Sequence, residues 1–150
     1  MITNEYGIHT FSLKLQCKYS EIQNIIEQNE CICTGKGKLG LSSYYQMPQF
    51  KDVGVEIQLG QSVSHPCWLV LIVNPSSLFA GTYAPTALFQ ANEESVRHVK
   101  HRLRNILDKI GVDRRLKEFK LSRCDLTCNL YYERKADVQN RLDIFKKSFP

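Results

Sequence analysis

A chain of 150 residues in which 43% of side chains are hydrophobic and 23% charged can bury one core, which excludes wholesale disorder and predicts a single domain. No apolar run approaches the length of a membrane-spanning helix, and residues 1–5 lack the basic flank and apolar core of a signal peptide. The expected setting is therefore the cytoplasm, with six reduced cysteines, no membrane partner, and a net charge of +5 that favours polyanionic or acidic partners.

In chain order, residues 8–17 alternate, with Phe11, Leu13, Leu15 and Cys17 on one face and Thr10, Ser12 and Lys14 on the other. Period two predicts a half-buried strand. Ser20 and Gln23 have the spacing of a capping box, which predicts a short helix with Ile22, Ile25 and Ile26 as its apolar stripe, ending near Asn29. Residues 34–52 read as a loop with glycine turns and an irregular strand near 39–45. Val53, Val55, Ile57 and Leu59 predict a second strand, and residues 67–73 a third that is apolar on both faces. The turn at 60–66 makes these two an antiparallel hairpin. Residues 74–78 then form a turn leading into one helical turn.

A helix over 93–110 follows, capped by Asn92, opened by two glutamates and closed by Gly111. Val96, Val99, Leu103, Ile106, Leu107 and Ile110 are its buried stripe. A fourth strand is expected over 119–133, and a last helix over 135–149 with Val138, Leu142, Phe145 and Phe149 at helical spacing. The order is β-α-β-β-α-β plus a C-terminal helix. This is an α+β, ferredoxin-like arrangement with four antiparallel strands and the helices on one face. The opposite, open face would carry Thr10, Ser12, Lys14, Glu56, Gln58, Arg123, Asp125, Thr127 and Asn129. The third strand must also show apolar residues there, so that face needs a cover.

The charge is concentrated. Nine lysines or arginines and three acids fall between Arg97 and Lys120, a local excess larger than the +5 of the whole chain. Arg97, Lys100, Arg104, Arg114, Arg115, Lys117 and Lys120 are the candidates for tracking a phosphate backbone or an acidic protein surface. Tyr44, Tyr45, Tyr131 and Tyr132 are the aromatics available to stack bases. Lys14, Glu56, Arg123, Asp125 and Asn129 are the open-face candidates, and Asp125 with Glu56 is the carboxylate pair for a divalent cation. A solvated cross-strand ion pair accounts for Arg123 and Asp125 as simply. Cys124 and Cys128, four apart on one strand, would stand about 13 Å apart and could not chelate together. His98 and His101 lie among arginines that repel a metal ion. No nucleophile elbow, Cys/His pair or phosphate loop occurs, so no catalytic residue and no required cofactor is predicted.

Leu121-Ser122-Arg123-Cys124-Asp125-Leu126-Thr127-Cys128-Asn129 resembles a strand of replication-initiation proteins from Gram-positive plasmids, phages and conjugative elements, which carry Arg-x-Asp in a catalytic palm. The turn Val73-Asn74-Pro75-Ser76-Ser77-Leu78 is similar to related mobile-element proteins. The resemblance implies the N-terminal, palm-like part of a rolling-circle initiator or relaxase, a ferredoxin-like core, and Asp125 as a metal-site candidate. The His-hydrophobic-His metal motif and an identifiable nucleophilic tyrosine are absent from the sequence, so the expectation is nucleic-acid binding without catalysis by this chain alone. The alternatives are a mobile-element inhibitor of the anti-CRISPR type, which would cover a nucleic-acid-guided nuclease, and a metal-dependent nuclease using Asp125 and Glu56.

Overall fold

The computed structural model describes residues 3–84 and 86–131. The chain runs β1 (Thr3–Cys17), α1 (Tyr19–Gln28), β2 (Ile32–Lys36), β3 (Ser42–Met47), β4 (Val55–Ser62), β5 (Cys67–Val73), α2 (Pro75–Ala80), α3 (Glu93–Lys109) and β6 (Lys120–Tyr131). The strands form one mixed-connection antiparallel sheet in the order β2-β3-β4-β5-β1-β6. The class is α+β as expected, but the expected four-strand ferredoxin-like order is replaced by six strands. The additional β2 and β3 come from residues that read as a largely irregular loop. The helix expected over 135–149, with Val138, Leu142, Phe145 and Phe149, lies outside the described residues, as does Tyr132.

Alternation places the core. Val55, Ile57 and Leu59 of β4, Cys67, Leu69, Leu71 and Val73 of β5, and Leu15 and Cys17 of β1 are all buried, on one face of the sheet. Ile22 and Ile25 of α1 and Val99, Leu103, Ile106 and Leu107 of α3 complete the same cluster. Each fully buried Leu or Ile contributes about 1.5–3 kcal/mol relative to exposure, so this face carries the stability. Among the described residues, no helix is long and apolar enough to cross a membrane.

Local chemistry sets the element ends. α1 begins at Tyr19, before the expected Ser20 cap, because Glu21 reaches back and accepts the Lys18 amide at 2.6 Å. Asn74 Oδ1 accepts the Ser77 amide at 2.9 Å, and this cap starts the single turn of α2 at Pro75. Asn92 caps α3 by accepting the Ser95 amide at 2.9 Å.

β6 departs from expectation. Alternation with Arg123 and Asp125 predicts that Cys124 and Leu126 face the helices, yet Cys124 is exposed and Leu126 is 80% exposed. Among the described residues β6 is an edge strand paired only with β1. Beside it, Ile8, Phe11, Leu13, Phe89, Val96 and Leu116 line an apolar cavity of about 400 Å³ under α3.

Candidate nucleic-acid interface

The strand registers define rows across the open face of the sheet. One row runs Gln46-Gln58-Val70-Lys14-Lys120 over β3, β4, β5, β1 and β6. A second runs Tyr44-Gly60-Trp68-Gln16, and a third Glu56-Ile72-Ser12-Arg123. Asp125 pairs with Thr10 beyond them. The expected open-face residues Thr10, Ser12, Lys14, Glu56, Gln58, Arg123 and Asp125 thus share one surface. Asn129 lies farther along β6 and donates from Nδ2 to the Thr86 carbonyl at 3.1 Å.

Asp125 is a locked group. It accepts from Thr10 Oγ1 at 2.6 Å and from Arg123 Nε at 2.8 Å. These hydrogen bonds, Thr10 first, hold its carboxyl below the ordinary Asp value, and the same pairing raises the Arg123 guanidinium above its own. Glu56 accepts from the amides of Gln58 at 2.7 Å and Gln46 at 3.3 Å. Asp125 and Glu56 do not meet. Their strands are separated by β5 and β1, which makes about 14 Å across the sheet. Among the described residues, no three His, Cys, Asp or Glu side chains are grouped as a metal site.

The basic segment is divided by the fold. Lys120 stands on the open face, directly opposite Lys14 in register. The residues from Arg97 to Lys117 belong to the helical side, and several are committed to structure there. Arg97 pairs with Glu93 at 3.0 Å. Arg104 bonds the Arg114 carbonyl at 2.6 Å and pairs with Asp108 at 2.7 Å. Arg114 bridges Glu118 at 3.1 Å and Glu21 of α1 at 3.7 Å. Lys100, Arg115 and Lys117 are exposed and make no ion pair among the described residues. His98 packs edge-on against Phe79 and accepts from Arg102 Nε at 2.9 Å. His101 is hydrogen-bonded to Asn105 at 3.2 Å.

Of the tyrosines, Tyr44 projects on the open face and is 52% exposed, whereas Tyr45 turns to the helical side and packs against the core. The aromatic partner on the open face is Trp68, which no motif had singled out. The available signal was a strand apolar on both faces whose neighbouring strands are polar on one. Tyr44 and Trp68 stand on either side of Gly60, and Lys14 Nζ lies 3.9 Å above the indole. Two cavities, about 400 and 530 Å³, meet at this saddle. Their linings include Lys14, Lys38 and His65 and contain no carboxylate.

The six cysteines are free thiols. Cys17 and Cys67 are buried register partners on β1 and β5, and burial, reinforced by Glu21, pushes the Cys17 thiol up to about 11. That makes it a small core hydrophobe rather than a nucleophile. No family model, no curated protein and no solved structure matches the chain.

Proposed function

We propose that this chain is a nucleic-acid-binding domain that engages a polynucleotide on the open face of its sheet, as the palm-like part of a mobile-element replication protein. The observation that carries the reading is the direct register pairing of Lys14 with Lys120 on that face. Like charges directly opposite each other on antiparallel strands are destabilising. A row of phosphates would relieve that repulsion; Arg123, one row away, is already paired with Asp125. If β2 and β3 are set aside, the remaining strands run β4-β5-β1-β6 and the chain order is β1-α1-β4-β5-α3-β6. We read this as a ferredoxin-like unit widened by an added hairpin, which agrees with the resemblance carried by the Arg123-Cys124-Asp125 strand. The role assigned to these residues is binding. Asp125 and Glu56 are already committed to neighbouring donors and stand too far apart to share an ion.

The test is fluorescence anisotropy with labelled single-stranded DNA, double-stranded DNA and RNA across a salt series. Binding should weaken with salt, and Lys120→Gln should reduce the log–log salt slope by about 0.7 for a single strand, the loss of one phosphate contact. The same variant should leave the fold intact or slightly more stable, since it removes a like-charge pair. No binding at low salt would overturn the reading and turn attention to an acidic protein partner. So would an unchanged slope after Lys14 and Lys120 are both replaced by glutamine.

A further inference from the structure

We propose that the saddle formed by Tyr44, Gly60 and Trp68 is a base-stacking subsite for single-stranded nucleic acid, an inference that rests on the reading above. Four observations converge on it. First, Tyr44 and Trp68 belong to the strands flanking β4, so their backbone positions stand about 9.6 Å apart with only a glycine between them. A position built as a Cβ on Gly60 lies 3.9 Å from the Tyr44 ring, an ordinary contact, and nothing else closes on it. The floor of the cleft is therefore backbone, and Tyr44 and Trp68 line its two sides.

Second, the cleft is lined for a polyanion. Lys14 enters the cavity on one side of the saddle, Lys38 and His65 the cavity on the other, and no carboxylate lines either. Third, Lys14 leans over the Trp68 indole at 3.9 Å. In that position the ammonium is held near the ring but remains able to move to a phosphate when a base takes its place. Fourth, Gln46 and Gln58 each donate one amide N–H to Glu56, and their amide oxygens have no partner among the described residues. They are acceptors available to the donor edge of a stacked base. Stacking on aromatic faces tolerates any base but requires unpaired ones, so this subsite selects single strands over duplex.

The chain contains one tryptophan, Trp68, so its intrinsic fluorescence reports the saddle directly. Full-length protein would be titrated with oligothymidylate, oligouridylate, a duplex of equal length and thymidine monophosphate. Labelled-strand anisotropy would be followed in parallel. Both single strands should quench Trp68 at the midpoint seen by anisotropy, and duplex should not. Tyr44→Ala should weaken single-strand binding roughly 5- to 150-fold without changing the salt slope, the range for losing one stacked base. Gly60→Val should do the same by filling the cleft, in a strand position that favours a β-branched residue. Circular dichroism and the urea midpoint confirm that each variant is folded.

Anisotropy binding with no change in Trp68 emission and no effect of either variant overturns the stacking inference and leaves the sheet-face reading standing. Absence of binding to any nucleic acid removes both. Equal quenching by duplex overturns single-strand selection. Equal potency of the monophosphate shows a nucleotide pocket and likewise overturns the inference. Equal response to the two homopolymers is expected; a response to only one of them assigns the nucleotide type that the site accepts and supports the subsite.

Discussion

Gly54→Ala should destabilise the fold by about 2–5 kcal/mol, the sum of a left-handed backbone cost of about 1–2 and an overpacking cost of about 1–3. Gly54 has φ +83°, and a Cβ added there would lie 2.5 Å from Ser77 Cβ and 2.9 Å from the Asn74 carbonyl oxygen. Neither neighbour can yield cheaply. Ser77 is fully buried, its amide is held by Asn74 Oδ1, and the Asn74 amide in turn donates to the Gly54 carbonyl at 2.8 Å. Gly40 supplies the control, since it has φ +69° with nothing within 4 Å of the added atom. Gly40→Ala should therefore show only the backbone cost, about 1–2 kcal/mol. Both substitutions restrict the unfolded chain alike, so the difference between them isolates the collision with the α2 cap. Urea unfolding of the two variants, with m unchanged, measures that difference. A Gly54→Ala variant no less stable than Gly40→Ala would refute the argument that β4 enters the sheet against a rigid α2 turn.

Leu71→Ala should cost about 2–5 kcal/mol because the side chain is fully buried between sheet and helices. Leu126→Ala should stay within about 0.5 kcal/mol, and a larger loss in thermal or urea unfolding would mean that something packs on the β6 edge. Thr10→Val removes the strongest hydrogen bond to the Asp125 carboxylate, so the Asp125 pKa should rise toward the ordinary carboxylate value. In the parent protein the depressed pKa gives a stabilising contribution that is present above the ordinary Asp value and is lost as pH falls through the folded value. The variant's Asp125-linked loss of stability in acid should therefore be smaller and complete at higher pH. Carboxyl-carbon NMR titration checks this, and an unmoved Asp125 resonance would remove Thr10 as the cause.

The parts of the fold that could be read in advance are those with a clean period. Val55, Ile57 and Leu59 alternate because one face of β4 is buried and the other is not, and the α3 stripe recurs at helical spacing for the same reason. β2 and β3 were hidden by their own exposure. β2 is an edge strand among the described residues, with Gly35 in it and little burial, and β3 carries Ser42, Tyr44 and Gln46 on the face opposite the core. Their identity as strands comes from pairing, β3 with β4 and β2 with β3, which their own residue pattern does not encode. The site divides in the same way. Arg123 and Asp125, two apart on a strand, were visible as a pair. The separation of Asp125 from Glu56 depends on β5 and β1 lying between their strands, which only the sheet order reveals. The division of the basic residues between two sides of the sheet was equally hidden, because charge spacing along a helix and loop says nothing about which layer they join.

β1 lies between β5 and β6, and this sets the timetable of synthesis. Phe11 pairs with Val73 on one side and Leu13 with Leu121 on the other. At roughly 5–20 residues per second, β1 waits several seconds after synthesis for one neighbour and about twice as long for the other. During that interval a nascent segment bearing Phe11, Leu13 and Leu15 on one side has two open edges, the condition under which strands recruit the wrong partner. Lys14 in its midst acts as a gatekeeper against such pairing. The lysine that the mature sheet holds over Trp68 thus also protects the chain before the sheet exists.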